Sequence, residues 1–329
     1  MSAKSRTFHL PHWIVEPWLA MKVRAKWRAD RRHLPLTGEH YELYDLIHRA
    51  YWRNLNDFPQ LVECRHFNDR IQWLKLFDQT EDTVRCSDKL GVREFVRERT
   101  GQDYSVPTYQ VCDRFREINF EALPESFVIK TNHDSGTAVL VRNQKTFDRV
   151  AAETQIENSL RRSYGWKNGE WAYKFVRPRV LVEEFLEPAR PAPPPDYKFY
   201  VADGRVRFLH YIYDRGPDSK EQTVNRAGQD MAIRLFPKFK YGQAFQKPAA
   251  WDEMIHLAEL LGRGFKCVRV DLYYTNDRIY TGEMTFWPGA GYYPGDGQRQ
   301  MGQLIDFDRT TYKPLVYHRL KAAAKLQKN

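Results

Sequence analysis

Cysteine is scarce in this sequence. Cys64, Cys86, Cys112 and Cys267 are the only four in 329 residues, far apart, with no Cys-x-x-Cys and no His pair nearby. That spacing excludes a disulfide framework and a zinc knuckle, and it predicts a reduced, cytoplasmic protein. Long apolar runs are missing too: nothing approaches 18 consecutive apolar residues, so no bilayer-spanning helix is expected. The run from Ile14 to Met21 is short and broken by Glu16 and Pro17, which excludes a secretory signal. There is no Walker phosphate loop, no internal repeat, and no Ser-His-Asp or Cys-His nucleophile arrangement. Glycine and proline, 18 of each, are scattered rather than clustered, which argues against a large disordered region.

What is present is positive charge and aromatic surface. Lys and Arg number 52 against 42 Asp and Glu, a net charge of +10. Such a balance favours polyanionic partners, whether nucleic acid, anionic lipid or acidic glycan, without choosing among them. Residues 1–36 mix Lys4, Arg6, Lys22, Arg24, Lys26, Arg28, Arg31 and Arg32 with Trp13, Trp18 and Trp27. Two readings follow: a segment lying on an anionic membrane surface, or a solvated arm that packs its aromatics on the body of the protein. The second is favoured.

Helical spacing governs the first hundred residues. Leu43, Leu46, Ile47, Ala50 and Tyr51 predict one helix. Asn68 is a candidate cap for a second, with Ile71, Leu74 and Phe77, and Ser87 for a third, with Asp88 in its first turn and Leu90, Phe95 and Val96 inward. Past residue 126 the texture shifts to short strands. Residues 127–132 and 138–141 flank a His133-Asp134-Ser135-Gly136-Thr137 loop as a hairpin, and residues 146–164 read as a helix before a strand over 179–186. The Pro-rich stretch 188–195 is a candidate hinge. Asp203-Gly204 predicts a tight hairpin between 197–202 and 205–213. A helix over 251–262 then precedes strands at 267–274 and 278–285. This alternation is α+β, without a regular βαβ repeat.

The last two strands carry the most chemistry. Alternation puts Val268, Val270 and Leu272 on one face, Arg269 and Asp271 on the other, and Glu283 with Thr285 on a common face. A three-residue turn or a bulge would bring Asp271 and Glu283 to one side; a plain two-residue turn would separate them. Side by side, two carboxylates call for a cation, and Mg²⁺ characteristically takes one or two carboxylates with phosphates and water. An amphipathic hairpin with surface charges is the alternative. Lys130 stands in a strand next to the Gly136 loop, where it can reach a phosphate or lie on an exposed edge. Lys198 alternates with Tyr197 and Phe199, and Glu183-Glu184-Phe185-Leu186 ends a strand able to offer backbone groups to an adenine edge.

Read in order, FNDRIQWLKL (67–76), SDK (87–89), FVIKTNH (127–133), VEEFL (182–186), DYKF (196–199), VRVDL (268–272) and GEMTFWPG (282–289) resemble the ATP-grasp superfamily. Within it they resemble the TupA-like branch, associated with teichuronopeptide synthesis. The resemblance covers about residues 65–308 and rests on the order of the seven pieces. It implies an α+β ATP-grasp fold, two α+β lobes gripping ATP behind a helical N-terminal region. The corresponding divisions are a basic helical segment (1–64), a preceding region (65–125), a first lobe (126–187), a second lobe (188–309) and a basic tail (310–329). It implies ATP and Mg²⁺ as cofactors. Lys89 and Lys130 would contact phosphates, and Glu183, Glu184, Phe185 and Leu186 would meet the adenine. Lys198 and Arg269 would hold the γ-phosphoryl group, and Asp271 and Glu283 the metal. Thr285 stands where many relatives carry an Asn ligand.

The activity so implied is a carboxylate–amine ligase working through an acyl phosphate in surface or capsular polysaccharide biosynthesis. The expected partners are an acidic polysaccharide or uronic-acid precursor and an amine or amino acid. Contact with the inner face of an anionic membrane is a further expectation, and nucleic acid is not expected. Two alternatives stand beside this: a kinase of the same fold acting on a sugar hydroxyl, and a non-catalytic polyanion-binding protein. His133 is read as a phosphate-loop hydrogen-bonding group or a proton carrier, and Trp287, Tyr292 and Tyr293 as sugar-stacking or core aromatics.

Overall fold

Apolar residues at helical spacing fold into α1 (His12–Asp30), α2 (Tyr41–Leu55), α3 (Phe67–Phe77), α4 (Glu81–Ser87) and α5 (Gly91–Thr100) in the computed structural model, which describes residues 12–186, 194–295, 297–313 and 315–326. On α2 the buried face is Leu43, Tyr44, Ile47, His48, Ala50 and Tyr51, and Asn56 in the left-handed region (φ 54) closes the helix. Leu19, Val23 and Trp27 of α1 are buried while Lys22, Arg24, Arg28, Arg31 and Arg32 face outward. The arm therefore packs its apolar stripe, Trp18 against Trp52 included, on the body. Lys4 and Arg6 lie outside the described residues.

Both expected caps are displaced. His66, not Asn68, precedes α3. The Asn68 amide instead clamps Tyr293, donating to its carbonyl (3.0 Å) and accepting from its N–H (3.1 Å). Ser87 ends α4 and donates to the Thr83 carbonyl at 2.7 Å; α5 starts at Gly91. A short polar side chain bonds whichever backbone group is within reach: for Asn68 that is a tertiary partner, and for Ser87 the carbonyl one turn back in its own helix.

A first sheet combines β1 (Thr108–Cys112), β2 (Phe127–Thr131), β3 (Ala138–Val141) and β4 (Val180–Glu184) in the antiparallel order β1-β4-β2-β3. It packs on α6 (Arg149–Leu160) through Phe127, Ile129, Val141, Ile156, Val180 and Val182. A start at residue 126 leaves out the edge strand β1, which this sheet includes. The second sheet runs β10-β9-β5-β6-β7-β8, from β5 (Asp196–Ala202), β6 (Arg205–Tyr213), β7 (Lys220–Val224), β8 (Lys240–Tyr241), β9 (Cys267–Thr275) and β10 (Arg278–Thr285). Asp203 and Gly204, both at positive φ, make the tight β5–β6 turn. Helix α7 (Trp251–Gly262) buries Met254, Leu257, Ala258 and Leu261 in the same core as Phe199, Val201, Val268 and Val270.

That larger core also takes in α1 to α3 and, after α8 (Gln298–Leu304), Val316 and Tyr317 of α9 (Val316–Leu326). The N-terminal helices and the basic C-terminal stretch are thus parts of the second sheet's body rather than appendages. Most of the candidate hinge over 188–195 falls outside the described residues.

Helix α3 is buried on every side, so its charged residues need partners. Asp69 accepts from Gln60 N–H and Tyr51 Oη, and Arg70 pairs with Asp306 at 2.6 Å. Lys75 Nζ donates to Gln72 Oε1 (2.7 Å), Asn168 O (2.7 Å) and Ala290 O (2.9 Å), with the Tyr292 ring 4.9 Å away. Burial lowers the Lys75 pKa and raises that of the facing Glu170. Lys75→Met removes three charge-assisted hydrogen bonds, leaves Gln72 Oε1 without that donor and leaves Glu170 without a counter-charge. It is expected to lower the unfolding free energy by ~2–4 kcal/mol, read from the urea midpoint at unchanged slope.

Candidate active site

Asn276 and Asp277, at φ 50 and 55, form a two-residue turn. Alone, that turn would put Glu283 on the face opposite Asp271. A bulge at Gly282 reverses this: Thr281 pairs with Leu272, and Glu283 pairs with Asp271. Glycine is required there, because a Cβ would lie 2.9 Å from the Tyr273 ring and 3.3 Å from Asp271 O. The condition for two carboxylates on one side is met by a bulge, not by a longer turn.

The register continues across the sheet. Glu283 pairs with Asp271, Asp271 with Lys198, Lys198 with His210 and His210 with Thr223, which sets these side chains in one row on one face. Arg269, two residues from Asp271, binds its carboxylate with Nε (2.6 Å) and a terminal nitrogen (2.7 Å). The same nitrogen reaches Glu283 Oε1 (2.8 Å) and Thr285 Oγ1 (3.0 Å). Lys198 Nζ lies 2.5 Å from Asp271 Oδ2 and 3.4 Å from Asp196 Oδ1.

Burial disfavours both carboxylate charges, and the two respond differently. It raises the Asp271 pKa, with Glu283 adding to the rise against Arg269 and Lys198. Burial opposes ionisation of Glu283 as well, yet Arg269, Lys198, Lys89 and the Thr285 hydroxyl overcome it and hold the carboxyl down at about 2. Glu283 is also the more open of the two, with 32% of its side chain accessible.

The first sheet supplies the facing wall. Lys89 Nζ donates to the carbonyls of Thr131 (3.0 Å) and Asp134; burial lowers its pKa and the Glu283 charge resists that. Lys130 pairs with Glu183, which is buried and also accepts from Arg93. Lys89, Arg93, Lys130 and Glu183 line a narrow cleft with Val92, Val106, Thr281 and Gly282. Thr281 N–H donates to Tyr104 O at 2.7 Å, which joins the bulged strand to the chain entering β1.

Of the expected site residues, Lys89, Lys130 and Glu183 gather on one side of a seam, and Lys198, Arg269, Asp271, Glu283 and Thr285 on the other; Glu184, next to Glu183 in β4, is not among the residues that line the cleft. Glu183 is paired with Thr108 and Val128, and Glu184 N–H is held by Pro107 O, so the sheet already engages these backbones. Phe185 and Leu186 follow the strand's end, with the Arg142 guanidinium 5.0 Å from the Phe185 ring.

His133 is misread by the sequence: it is buried with Nε2 3.2 Å from Ser159 O, turned into the lobe and away from the cleft. Trp287 and Tyr293 are core, the first against Trp171 and the second against Phe67 and Phe236, so neither can stack on a sugar. Tyr292 is half-buried and donates to Asn168 O. Sequence reading missed Arg93, Asp196, Arg215, and the buried pair His210–Glu221, 2.9 Å apart. Only the pairing of β5 with β6 and β9, and of β6 with β7, reveals the last four.

Among the described residues no group of three or more His, Cys, Asp or Glu forms a cation site. The donors that do converge are Asp271, Glu283 and Thr285, all oxygen. That set fits a hard ion completed by phosphate and water, and it does not fit zinc.

Because Glu283 is held well below its ordinary value near 4.5, its contribution to stability is complete above that value and is lost as pH falls through about 2. Glu283→Gln removes this dependence. The difference in stability between the parent and E283Q should therefore shrink steadily on acidification across that window, as read by denaturant titration.

A sequence model of the TupA-like ATP-grasp family matches residues 69–306. No curated protein sequence matches the chain. Among solved structures, D-alanine–D-alanine ligase from Bacillus anthracis complexed with ATP aligns at 16% identity, covering 61% of this chain and 54% of that one, with a TM-score of 0.35. L-amino acid ligase from Bacillus licheniformis aligns at 17% identity over 68% and 49%, TM-score 0.41, and Helicobacter pylori D-alanine–D-alanine ligase at 11% over 73% and 68%, TM-score 0.38. The chain spans about half the length of the first two.

Proposed function

Because this chain belongs to the TupA-like ATP-grasp family and has its two-lobed α+β fold, we propose that it is an ATP-dependent carboxylate–amine ligase with its site in the seam between the two sheets. The carrying observation is the row Glu283–Asp271–Lys198 with Arg269, facing the cleft of Lys89 and Lys130.

In this reading the phosphates of ATP meet Lys89 and Lys130, and Lys130 exchanges Glu183 for phosphate. The adenine lies against the end of β4, where Phe185 and Leu186 offer backbone groups that the sheet does not use. Asp271, Glu283 and Thr285 hold Mg²⁺, which when bound would neutralise phosphate charge. Arg269 and Lys198, released from these carboxylates, turn to the γ-phosphoryl oxygens, where charge spreads during transfer. The exchange replaces carboxylate–cation pairs with phosphate–cation pairs, so no buried charge is left alone. An acceptor carboxylate oxygen attacks the γ-phosphorus and ADP leaves. An amine then attacks the acyl carbon, phosphate leaves and the nitrogen loses a proton, giving the amide. Closure of the seam protects the acyl phosphate from water.

The acceptor is proposed to be an acidic surface polysaccharide or its uronic-acid precursor. The net charge of +10 supports this, as does the outward row of Lys22, Arg24 and Arg28 on α1 with Arg31 and Arg32 just beyond it. The same row would hold the chain on an anionic bilayer; among the described residues no helix is long and apolar enough to cross one. Steering by these charges should make polymer affinity fall with added salt while ATP affinity changes less, a comparison made by titrating both at several ionic strengths.

Asp271→Asn and Glu283→Gln are each expected to lower ADP formation by about a hundredfold or more with the fold retained, and Lys22→Gln to leave turnover of a soluble acceptor unchanged. ADP release should require both a glycan carboxylate and an amine, with an amide in the product by mass spectrometry and carboxyl-reduced glycan inert. A phosphorylated sugar, or full activity on the reduced glycan, would establish the kinase alternative. Equal losses at Lys22 and Asp271 would show the site misplaced.

A further inference from the structure

At the end of β6 the chain turns sharply: Asp214 is in the left-handed region (φ 52) and is followed by Arg215 and Gly216. The turn lets the Arg215 side chain reach Asp196, the first residue of β5, with Nε 2.5 Å from Oδ2 and a terminal nitrogen on the same oxygen. Asp196 is 2% exposed, and its other oxygen faces Lys198. Arg215, Asp196, Lys198, Asp271, Arg269 and Glu283 therefore form one chain of alternating charge across the sheet. Its ends are its open members: Glu283 at 32% side-chain exposure and Arg215 at 46%.

The cations differ in what they have left to give. Lys198 and Arg269 sit inside the chain between carboxylates. Arg215 is the terminal cation, and a guanidinium has five N–H donors in a planar fork. The bonds to Asp196 use Nε and one terminal nitrogen. Asp196 is buried and shared, so it fixes Arg215 and offsets part of its charge without covering it. A half-exposed, pre-oriented guanidinium joined to Lys198 through Asp196 is built for a planar anion arriving from solvent.

We propose that Arg215 is the acceptor-binding residue: it takes the substrate's carboxylate in a forked hydrogen bond and presents it toward the phosphoryl group held at Lys198. The proposal rests on the ligase reading and assigns the substrate class at that site, a carboxylate rather than a neutral hydroxyl. Asp196 is then a positioning residue for both cations, which accounts for a buried acid between them.

The test uses the full chain with MgATP, trigalacturonic acid as acceptor and hydroxylamine as amine, reading ADP release and hydroxamate. Arg215→Gln should raise the KM for trigalacturonate by about tenfold to a hundredfold, the loss of a charge-assisted pair, and leave the KM for ATP within about twofold. Arg215→Lys, which keeps the charge but not the fork, should fall between. An unchanged acceptor KM in R215Q, or a KM for ATP that rises in parallel, overturns the assignment, and circular dichroism with the R215K variant separates either from misfolding. Wild-type protein that binds Mg²⁺ and AMPPNP but releases no ADP with trigalacturonate overturns the carboxylate assignment alone. Failure to bind AMPPNP overturns the ligase reading beneath it.

Discussion

Two carboxylates facing each other across adjacent strands, in a largely buried site, cannot both stay ionised unless cations stand between them. Much of this architecture can be read as the means of supplying those cations. Arg269 reaches Asp271, Glu283 and Thr285 at once, and Lys198 comes from the neighbouring strand, which is adjacent only because β5 pairs with β9. Lys89 adds its field from the opposite wall. The seam's charges are balanced by pairs among its own residues, and under the proposed function each pair could be exchanged for a phosphate contact without stranding a charge.

The two walls of the seam belong to different cores. The first sheet is filled by its own cluster around Phe127, Ile156 and Val182, and the second shares its interior with the terminal helices. Lys75 is where they are tied. One ammonium binds the carbonyls of Asn168, in the segment between α6 and β4, and Ala290, just past β10. A lysine suits this post because three donors radiate from one atom, at the cost of a desolvation that the surrounding carbonyls and Glu170 offset.

Strands and tight turns were legible in the sequence because their signals are local. Asp203-Gly204, the alternation over 268–272 and the helix over 251–262 all correspond to elements of the structure. So did the two possible fates of Asp271 and Glu283, with Gly282 as the unremarked signal that chose between them. What stayed hidden depends on long-range contact. Asn68 has the chemistry of a cap, but Tyr293, far along the chain, claims it. His133 and Trp287 look available in a polar or glycine-rich loop and are buried by helices distant in sequence. Arg215 and Asp196 are 19 positions apart, and nothing short of the β5–β6 pairing joins them.

The same division into two cores sets an order of folding. The smaller core draws on residues between Phe115 and Val182, contacts that are close along the chain and incur a modest loop-closure entropy. The larger one runs from Leu19 to Tyr317 and closes only when both extremes of that span are in hand. As the chain leaves the ribosome, the first lobe can condense while α1 to α3 still wait for the strands and the last helix that cover them. Until then Phe67 and Trp73 lack the partners, Tyr200, Tyr293 and Phe307, that cover them in the finished fold.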